Sequence, residues 1–247
     1  MVPSRRLDVL LYLDDPASAG EQAADRVVVA IDVLRATSTI LVALSQGAAA
    51  VVPAATLQEA HHLKATRFPD ALLCGERHNR PPEGFDLGNS PAEYTRERVK
   101  DKLLLLTTTN GTRLIRALAP AREVWIGGFL NLSAVCRQIL GLSGDVLLAC
   151  AGSHRRYAME DGLLAGAIVE AVAGAFDQLS DSARLVLAAW RGRGLPLPEA
   201  LAQTEHGQRL RADGFERDIR LAAAVDRIGL VPRLVEGRVL ISSGSPN

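Results

Sequence analysis

The chain has 247 residues, 48% of them apolar, with 28 Lys+Arg balancing 28 Asp+Glu to a formal net charge of zero. That length and apolar content can bury a sizeable core and exclude a disordered chain. Neutrality removes the electrostatic footprint of a nucleic-acid binder, and no stretch approaches the ~18 apolar residues of a membrane span, so neither nucleic acid nor membrane is an expected partner.

In chain order, LDVLLYL (7–13) predicts a strand and VVVAI (27–31) a second, followed by a helix over 37–46. A strand over 49–53 and a helix over 56–66 come next, then a Gly/Pro-rich loop over 74–94 that holds no periodicity. Strands over 103–107, 124–127 and 146–150 alternate with helices over 112–118 and 131–140. Helices over 159–176, 197–212 and 216–228 precede a last strand over 237–243, and RGRGLPLPE (191–199) reads as a loop between helices. SSGSPN at the end reads as a frayed tail. Short, fully apolar strands alternating with helices predict a three-layer α/β/α sandwich with a mostly parallel sheet, made mixed by its first and last strands. One domain over 1–247 is expected.

Cys74, Cys136 and Cys150 are odd in number and widely spaced, which provides no disulfide framework and no zinc pattern and points to a reducing cytoplasm. The apolar run after Arg5–Arg6 is too short for a signal peptide.

Ligands of open α/β sheets sit at the carboxyl ends of strands, and here those ends are polar. VVVAI runs into Asp32, Arg35 and Thr37; LLLLT runs into Thr108, Thr109, Asn110, Gly111 and Thr112. VWI runs into Gly127 and Gly128, with Asn131 and Ser133 opening the next helix, and VLLAC runs into Ala151, Gly152, Ser153 and His154. TTTNGT combines a close-approach glycine with hydroxyl and amide donors at a helix start, which suits an anion; a plain turn with Thr112 as cap is the bland alternative. Asp32 suits a metal ligand, a phosphoryl-accepting nucleophile or a helix cap. Arg35 suits a phosphate or sulfonate clamp, or the surface. Glu76, Asp86 and Asn89 lie in the 74–94 loop with hard oxygen donors suited to Mg²⁺. Glu160 and Asp161 open a strong helix, either complementing its dipole or holding a cation. His206 reads as an acid/base or, more commonly, a capping histidine, and Cys150 as a small buried residue rather than a nucleophile.

Together, IDVLRATSTI, GER…GFDLGNSP, TTTNGT, the Glu160–Asp161 run and HG…GF…DI…VP (206–232) resemble the 2-phosphosulfolactate phosphatase family over about residues 7–240. The resemblance implies an α/β/α fold and a cytoplasmic, Mg²⁺-dependent phosphatase of coenzyme M biosynthesis that converts 2-phospho-3-sulfolactate to 3-sulfolactate and phosphate. By the same resemblance, Asp32, Arg35, Asn110 and Glu160 are the expected catalytic residues. Asp32, Glu76, Asp86 and Asp161 are the expected metal ligands. Thr108, Thr109, Gly111, Thr112, Asn89, Gly128 and Gly152 are expected to bind substrate. The chain departs from the family at HNRPPEG, where a glycine-rich start is expected and His78–Asn79 stands. Arg77, Arg80, Arg113, Arg155 and Arg156 are available for a sulfonate. Rival readings are a phosphatase for another small phosphorylated hydroxy acid and a non-catalytic anion binder, which would avoid carboxylates beside its anion. An NAD-dependent dehydrogenase is disfavoured because no GxGxxG follows a strand. The expected oligomer is a homodimer, the commonest symmetric assembly.

Overall fold

The computed structural model describes residues 4–241; the SSGSPN tail, with the last two positions of the expected final strand, lies outside the described residues. Ten strands form one sheet: β1 (Arg6–Leu10), β2 (Val27–Ile31), β3 (Ala50–Pro53), β4 (Leu72–Gly75), β5 (Leu103–Thr107), β6 (Glu123–Gly127), β7 (Val146–Cys150), β8 (Gln178–Leu179), β9 (Arg233–Val235) and β10 (Arg238–Leu240). The helices are α1 (Pro16–Ala23), α2 (Ala36–Ser45), α3 (Leu57–Thr66), α4 (Arg96–Val99), α5 (Gly111–Ala117), α6 (Leu132–Leu140), α7 (Met159–Val172), α8 (Asp181–Arg191), α9 (Leu197–Gln203), α10 (Glu205–Ala212) and α11 (Glu216–Ala222).

The spatial order is β4-β5-β3-β10-β9-β6-β2-β7-β1-β8. Two parallel blocks, β4-β5-β3 and β6-β2-β7-β1-β8, are joined by the antiparallel hairpin β9–β10. The sheet is mixed, and the last strand, β10, supplies the mixing as expected together with β9, while the first strand, β1, pairs parallel with both neighbours. Three antiparallel pairings in succession give the two blocks opposite formal senses. Twist of roughly 20–25° per strand coils the sheet, and Leu104 and Leu106 of β5, Val51 of β3, and Val28 and Ala30 of β2 share one apolar cluster. The coiling brings the carboxyl ends of β2 and β5 together: a Cβ on Gly111 would lie 2.5 Å from Asp32 Oδ2.

Both faces of the sheet are covered. On β2, Val27, Val29 and Ile31 face the cluster shared with α7, whereas Val28 and Ala30 face α2 and α5. This is why the strand is apolar at every position. The expected 197–212 helix is two helices. Thr204 caps α10 by accepting from the Gly207 N–H at 3.0 Å, and any side chain on Gly207 would collide with the Leu201 carbonyl of α9. The expected 216–228 helix ends at Ala222, and Asp226 instead accepts from the Ser133 N–H and hydroxyl at the start of α6. The expected 159–176 helix stops at Val172 and finishes in a single 3₁₀ turn. β4, β8, β9, α1, α4 and α8 add to the expected elements.

Candidate active site

Asp32 follows β2 directly and is buried, with its Oδ1 accepting the Ala36 N–H at 3.2 Å. Burial pushes its carboxyl up to about 6; His206 and the Ala36 N–H pull it down, and Glu76 and Glu160 push it further up. Asp32, Glu76 and Glu160, which come from three separate stretches of sequence, therefore share one electrostatic neighbourhood. Asp161, on the first turn of α7, accepts the Val33 N–H at 2.8 Å and the Gly152 N–H at 3.1 Å. It ties the end of β2 to the end of β7. Burial, Asp32 and Glu160 hold it well above the usual carboxylate range against those two donors.

Gly152 takes φ +68°, a left-handed conformation, and a side chain there would press on Tyr12. It serves the site by aiming its N–H at Asp161, not by leaving room for substrate. Glu76 follows Gly75, whose φ of +143° lets the chain turn inward beside Thr107. Glu76 Oε1 accepts both the Thr109 N–H, at 2.8 Å, and the Thr109 hydroxyl, at 2.9 Å. Its Oε2 accepts the Asn79 N–H at 3.2 Å.

TTTNGT thus spends most of its donors on the protein. The Thr108 N–H donates to the Thr112 hydroxyl at 3.0 Å, and the Thr112 N–H to the Thr108 hydroxyl at 3.1 Å, a reciprocal cap that closes the turn into α5. Thr109 holds Glu76. Asn110 borders the cleft with its side chain uncapped.

Arg35 does not stand ready as a clamp. Its Nη1 donates to Asp218 Oδ2 at 2.8 Å, its Nη2 to the Asn79 carbonyl at 2.9 Å, and its guanidinium lies 4.4 Å over the Phe215 ring. Ser90 donates to the other Asp218 oxygen at 2.6 Å, so the buried ion pair staples α11 to the loop after β4. Asn89 borders the cleft, and its buried Oδ1 has no partner among the described residues.

Two expected residues lie elsewhere. Asp86 is not brought to the carboxylates: it folds back on β4, accepting the Leu73 N–H at 2.7 Å and Lys64 at 3.4 Å. Gly128 faces the core, where a Cβ would lie 2.7 Å from Leu41 Cδ1, and its N–H donates to Asn131 at 2.9 Å.

The cleft has a volume of ≈430 Å³ and is bordered by Asp32, Glu76, Asn110, Ser153, His154 and His206, among others. Two tight turns flank it. Arg77 and Arg80 exchange backbone hydrogen bonds across His78 and Asn79, at φ +51° and +66°. Ser153 and Arg156 do the same across His154 and Arg155, at φ +51° and +59°. Such turns favour glycine, which is the physical ground for expecting one where His78–Asn79 stands; Asn and His are among the side chains that tolerate the conformation.

His206, read from sequence as an acid/base or more commonly a capping histidine, borders the cleft. Its Nδ1 lies 3.6 Å from Glu160 Oε1 and its Nε2 lies 3.2 Å from Asn79 Oδ1. The Asn79 amide is oriented by its own donation to Asp213 at 2.7 Å. The signal in the sequence was His206 beside a glycine in the first turn of a helix, but nothing local says that this turn faces the strand ends. Cys150 is buried and its thiol is pushed well up by burial and by Asp161 and Glu160, which leaves it no thiolate for attack.

Among the described residues, no three His, Cys, Asp or Glu side chains stand as a ready-made metal cage. Glu76 and Asp161 already accept backbone N–H donors on both carboxylate oxygens, whereas Asp32 Oδ2 and Glu160 accept no hydrogen bond from the described protein apart from the long His206 contact. Two hard oxygen groups with spare lone pairs fit an ion that keeps several waters and completes its shell on a substrate phosphate, which is the habit of Mg²⁺.

The geometry is that of a small polar cleft with concentrated buried acid. A family model described as 2-phosphosulpholactate phosphatase matches residues 14–237. A probable 2-phosphosulfolactate phosphatase of Thermotoga petrophila is 44% identical over 212 residues, which is 86% of this chain and 90% of that protein. One from Pseudothermotoga lettingae is 41% identical over 94% of this chain and 97% of its own, and one from Carboxydothermus hydrogenoformans is 38% identical over 96% and 98%. With the matched region carrying every one of the strand ends that build the cleft, the chain belongs to the 2-phosphosulfolactate phosphatase family.

Proposed function

We propose that this protein hydrolyses the phosphate monoester of 2-phospho-3-sulfolactate to 3-sulfolactate and phosphate, with Mg²⁺. The observation that carries the reading is the burial of Asp32 among like-charged Glu76 and Glu160 at the border of an open polar cleft. A site that merely bound an anion would not surround it with carboxylates, because like charges repel. With a divalent cation present, the same carboxylates are an asset.

Asp32 Oδ2 and Glu160 would hold the ion, which when bound would neutralise phosphate charge and lower the cost of the transition state. The protein's own part is positioning. Asp161 and Thr109, through their backbone and side-chain bonds, keep Asp32 and Glu76 in place. Asp32 Oδ1 is pinned by the Ala36 N–H, so Oδ2 is the oxygen that faces the cleft contents. Holding the ion, it is the group beside which water attacks; as nucleophile toward phosphorus, it would leave the ion to Glu160 and the substrate. His206, between Glu160 and Asn79, borders the same cleft and can exchange a proton there.

The test is phosphate release from 2-phospho-3-sulfolactate, phospholactate and phosphoglycolate, with Mg²⁺ and with EDTA, by wild type and Asp32→Asn. Metal-dependent release that prefers the sulfonate and falls at least ~10³-fold in Asp32→Asn is expected. Release from none of the three would overturn the enzyme reading. Equal release from all three would keep the phosphatase and discard the sulfonate specificity. Radioactive phosphate recovered on Asp32 after acid quench of a single turnover, and released by hydroxylamine, would identify the covalent route.

A further inference from the structure

We propose that Arg209 is the specificity residue of this site: it takes the acidic group that the substrate carries in addition to its phosphate. The inference rests on the phosphatase reading above and adds to it the residue that makes the cleft select a doubly or triply acidic ester over a plain one.

Three arginines border the cleft. Arg35 is spent on Asp218 and on the Asn79 carbonyl. Arg77 is spent on the Glu76 and Thr107 carbonyls and the Thr107 hydroxyl. Among the described residues, Arg209 makes one side-chain hydrogen bond, from Nη2 to the Ser153 hydroxyl at 3.2 Å, and no ion pair. A guanidinium has five N–H donors in a planar fork matched to the oxygens of a carboxylate or sulfonate, so most of this one's capacity is unspent.

Its place along the helix matters as much as its freedom. Arg209 is three residues after His206 on α10, so the two share a helix face with their Cβ atoms roughly 5–6 Å apart. His206 reaches Glu160 and Asn79 at the acid end of the cleft. Arg209 stands one turn away from that end. A substrate with its phosphate at the Asp32 end extends its next acidic group within the cleft that Arg209 also borders. The second anion needs such a place, because Asp32, Glu76, Glu160 and Asp161 repel any negative charge that no cation balances.

Arg209 also borders the neighbouring chamber of ≈920 Å³, which shares Ser153, His154 and His206 with the cleft. That opening leaves room for a group as wide as a sulfonate beside the guanidinium.

The test compares wild type, Arg209→Gln and Arg209→Lys, each with Mg²⁺, on four esters. They are 2-phospho-3-sulfolactate, phospholactate with only a carboxylate, the phosphate ester of 2-hydroxyethanesulfonate with only a sulfonate, and ethyl phosphate with neither. Arg209→Gln is expected to lose about 30–100-fold in kcat/KM on 2-phospho-3-sulfolactate, mainly through KM. It should change by less than about twofold on ethyl phosphate, with partial recovery in Arg209→Lys. The single-acid ester that shares the loss identifies which group Arg209 holds. An equal loss on ethyl phosphate, or no loss on any acid-bearing ester, overturns the proposal. If the wild type releases phosphate from none of them, the phosphatase reading has failed by itself, and calorimetric titration with 3-sulfolactate then decides on Arg209. Binding by wild type that is lost in Arg209→Gln supports the assignment; equal binding, or none, overturns it.

Discussion

Asp32 is held in the folded protein at an energetic disadvantage. Its carboxyl sits at about 6 rather than 3.8, because burial and the neighbouring acids favour the protonated form. A raised acid contributes stability that is fully present below the unfolded value and is lost as pH rises through the folded one. Metal-free protein should therefore lose stability between about pH 4 and pH 6, by roughly 2–3 kcal/mol from Asp32, with Asp161 acting in the same direction. Asp32→Asn in EDTA at pH 8 is expected to melt roughly 5–10 °C above wild type, even as it loses activity. Differential scanning calorimetry across pH checks both statements; an unchanged or lower melting temperature would mean that the buried charge is already balanced within the protein. Adding Mg²⁺ should raise the wild-type melting temperature and leave Asp32→Asn nearly unmoved, since a ligand stabilises only the state that binds it.

Between elements, the buried Arg35–Asp218 pair and the contact of α7 with α8 are two points where a few atoms decide the docking. Asp218→Ala leaves a buried guanidinium without its anion and should cost about 3–5 kcal/mol in urea unfolding. The double replacement Arg35→Met with Asp218→Leu should recover much of that, which separates loss of charge balance from loss of volume. On α7, any side chain at Gly166 would run into the Val186 carbonyl of α8 and crowd Trp190. Gly166→Ala is expected to destabilise by about 2–3 kcal/mol. Gly174→Ala, with open space around it, should stay within about 0.5 kcal/mol.

For the whole molecule, the weak seam is the β9–β10 hairpin. It alone pairs β3 with β6 in the sheet, through the Val239–Val51 and Trp125–Arg233 registers. Ending the chain before Arg233 should separate the blocks that carry Glu76 and Thr109 from the block that carries Asp32. The expected result is loss of cooperative unfolding and of phosphate release together, read by near-UV circular dichroism and activity. A truncated chain that still melts cooperatively would show that the shared cluster of β5, β3 and β2 suffices without the hairpin.

Much of this was legible residue by residue. VVVAI and VLLAC announce strands covered on both sides, since no position in them tolerates water, and Asp32, Glu76, Glu160 and Asp161 are conspicuous as acids at the edges of apolar runs. The turn of Asp86 away from the other carboxylates and of His206 toward them was hidden in the sequence for one reason. Both lie in segments whose local pattern is the same whether they face the cleft or turn away. TTTNGT looked like a cradle for an anion, yet three of its threonines are used to close the turn and to hold Glu76.

The sequence by itself determined the apolar strands and most of the long helices, because side-chain period and apolar runs are properties of neighbours along the chain. It also determined that the strand ends are polar, and with them the family. The tertiary structure decided which ends meet. Pairing β2 with β7 sets Asp32 beside Gly152 and Asp161, and the coil of the sheet across the hairpin brings Thr109 and Glu76 round to them. Those adjacencies come from long-range strand order and accumulated twist, which no local stretch of residues encodes.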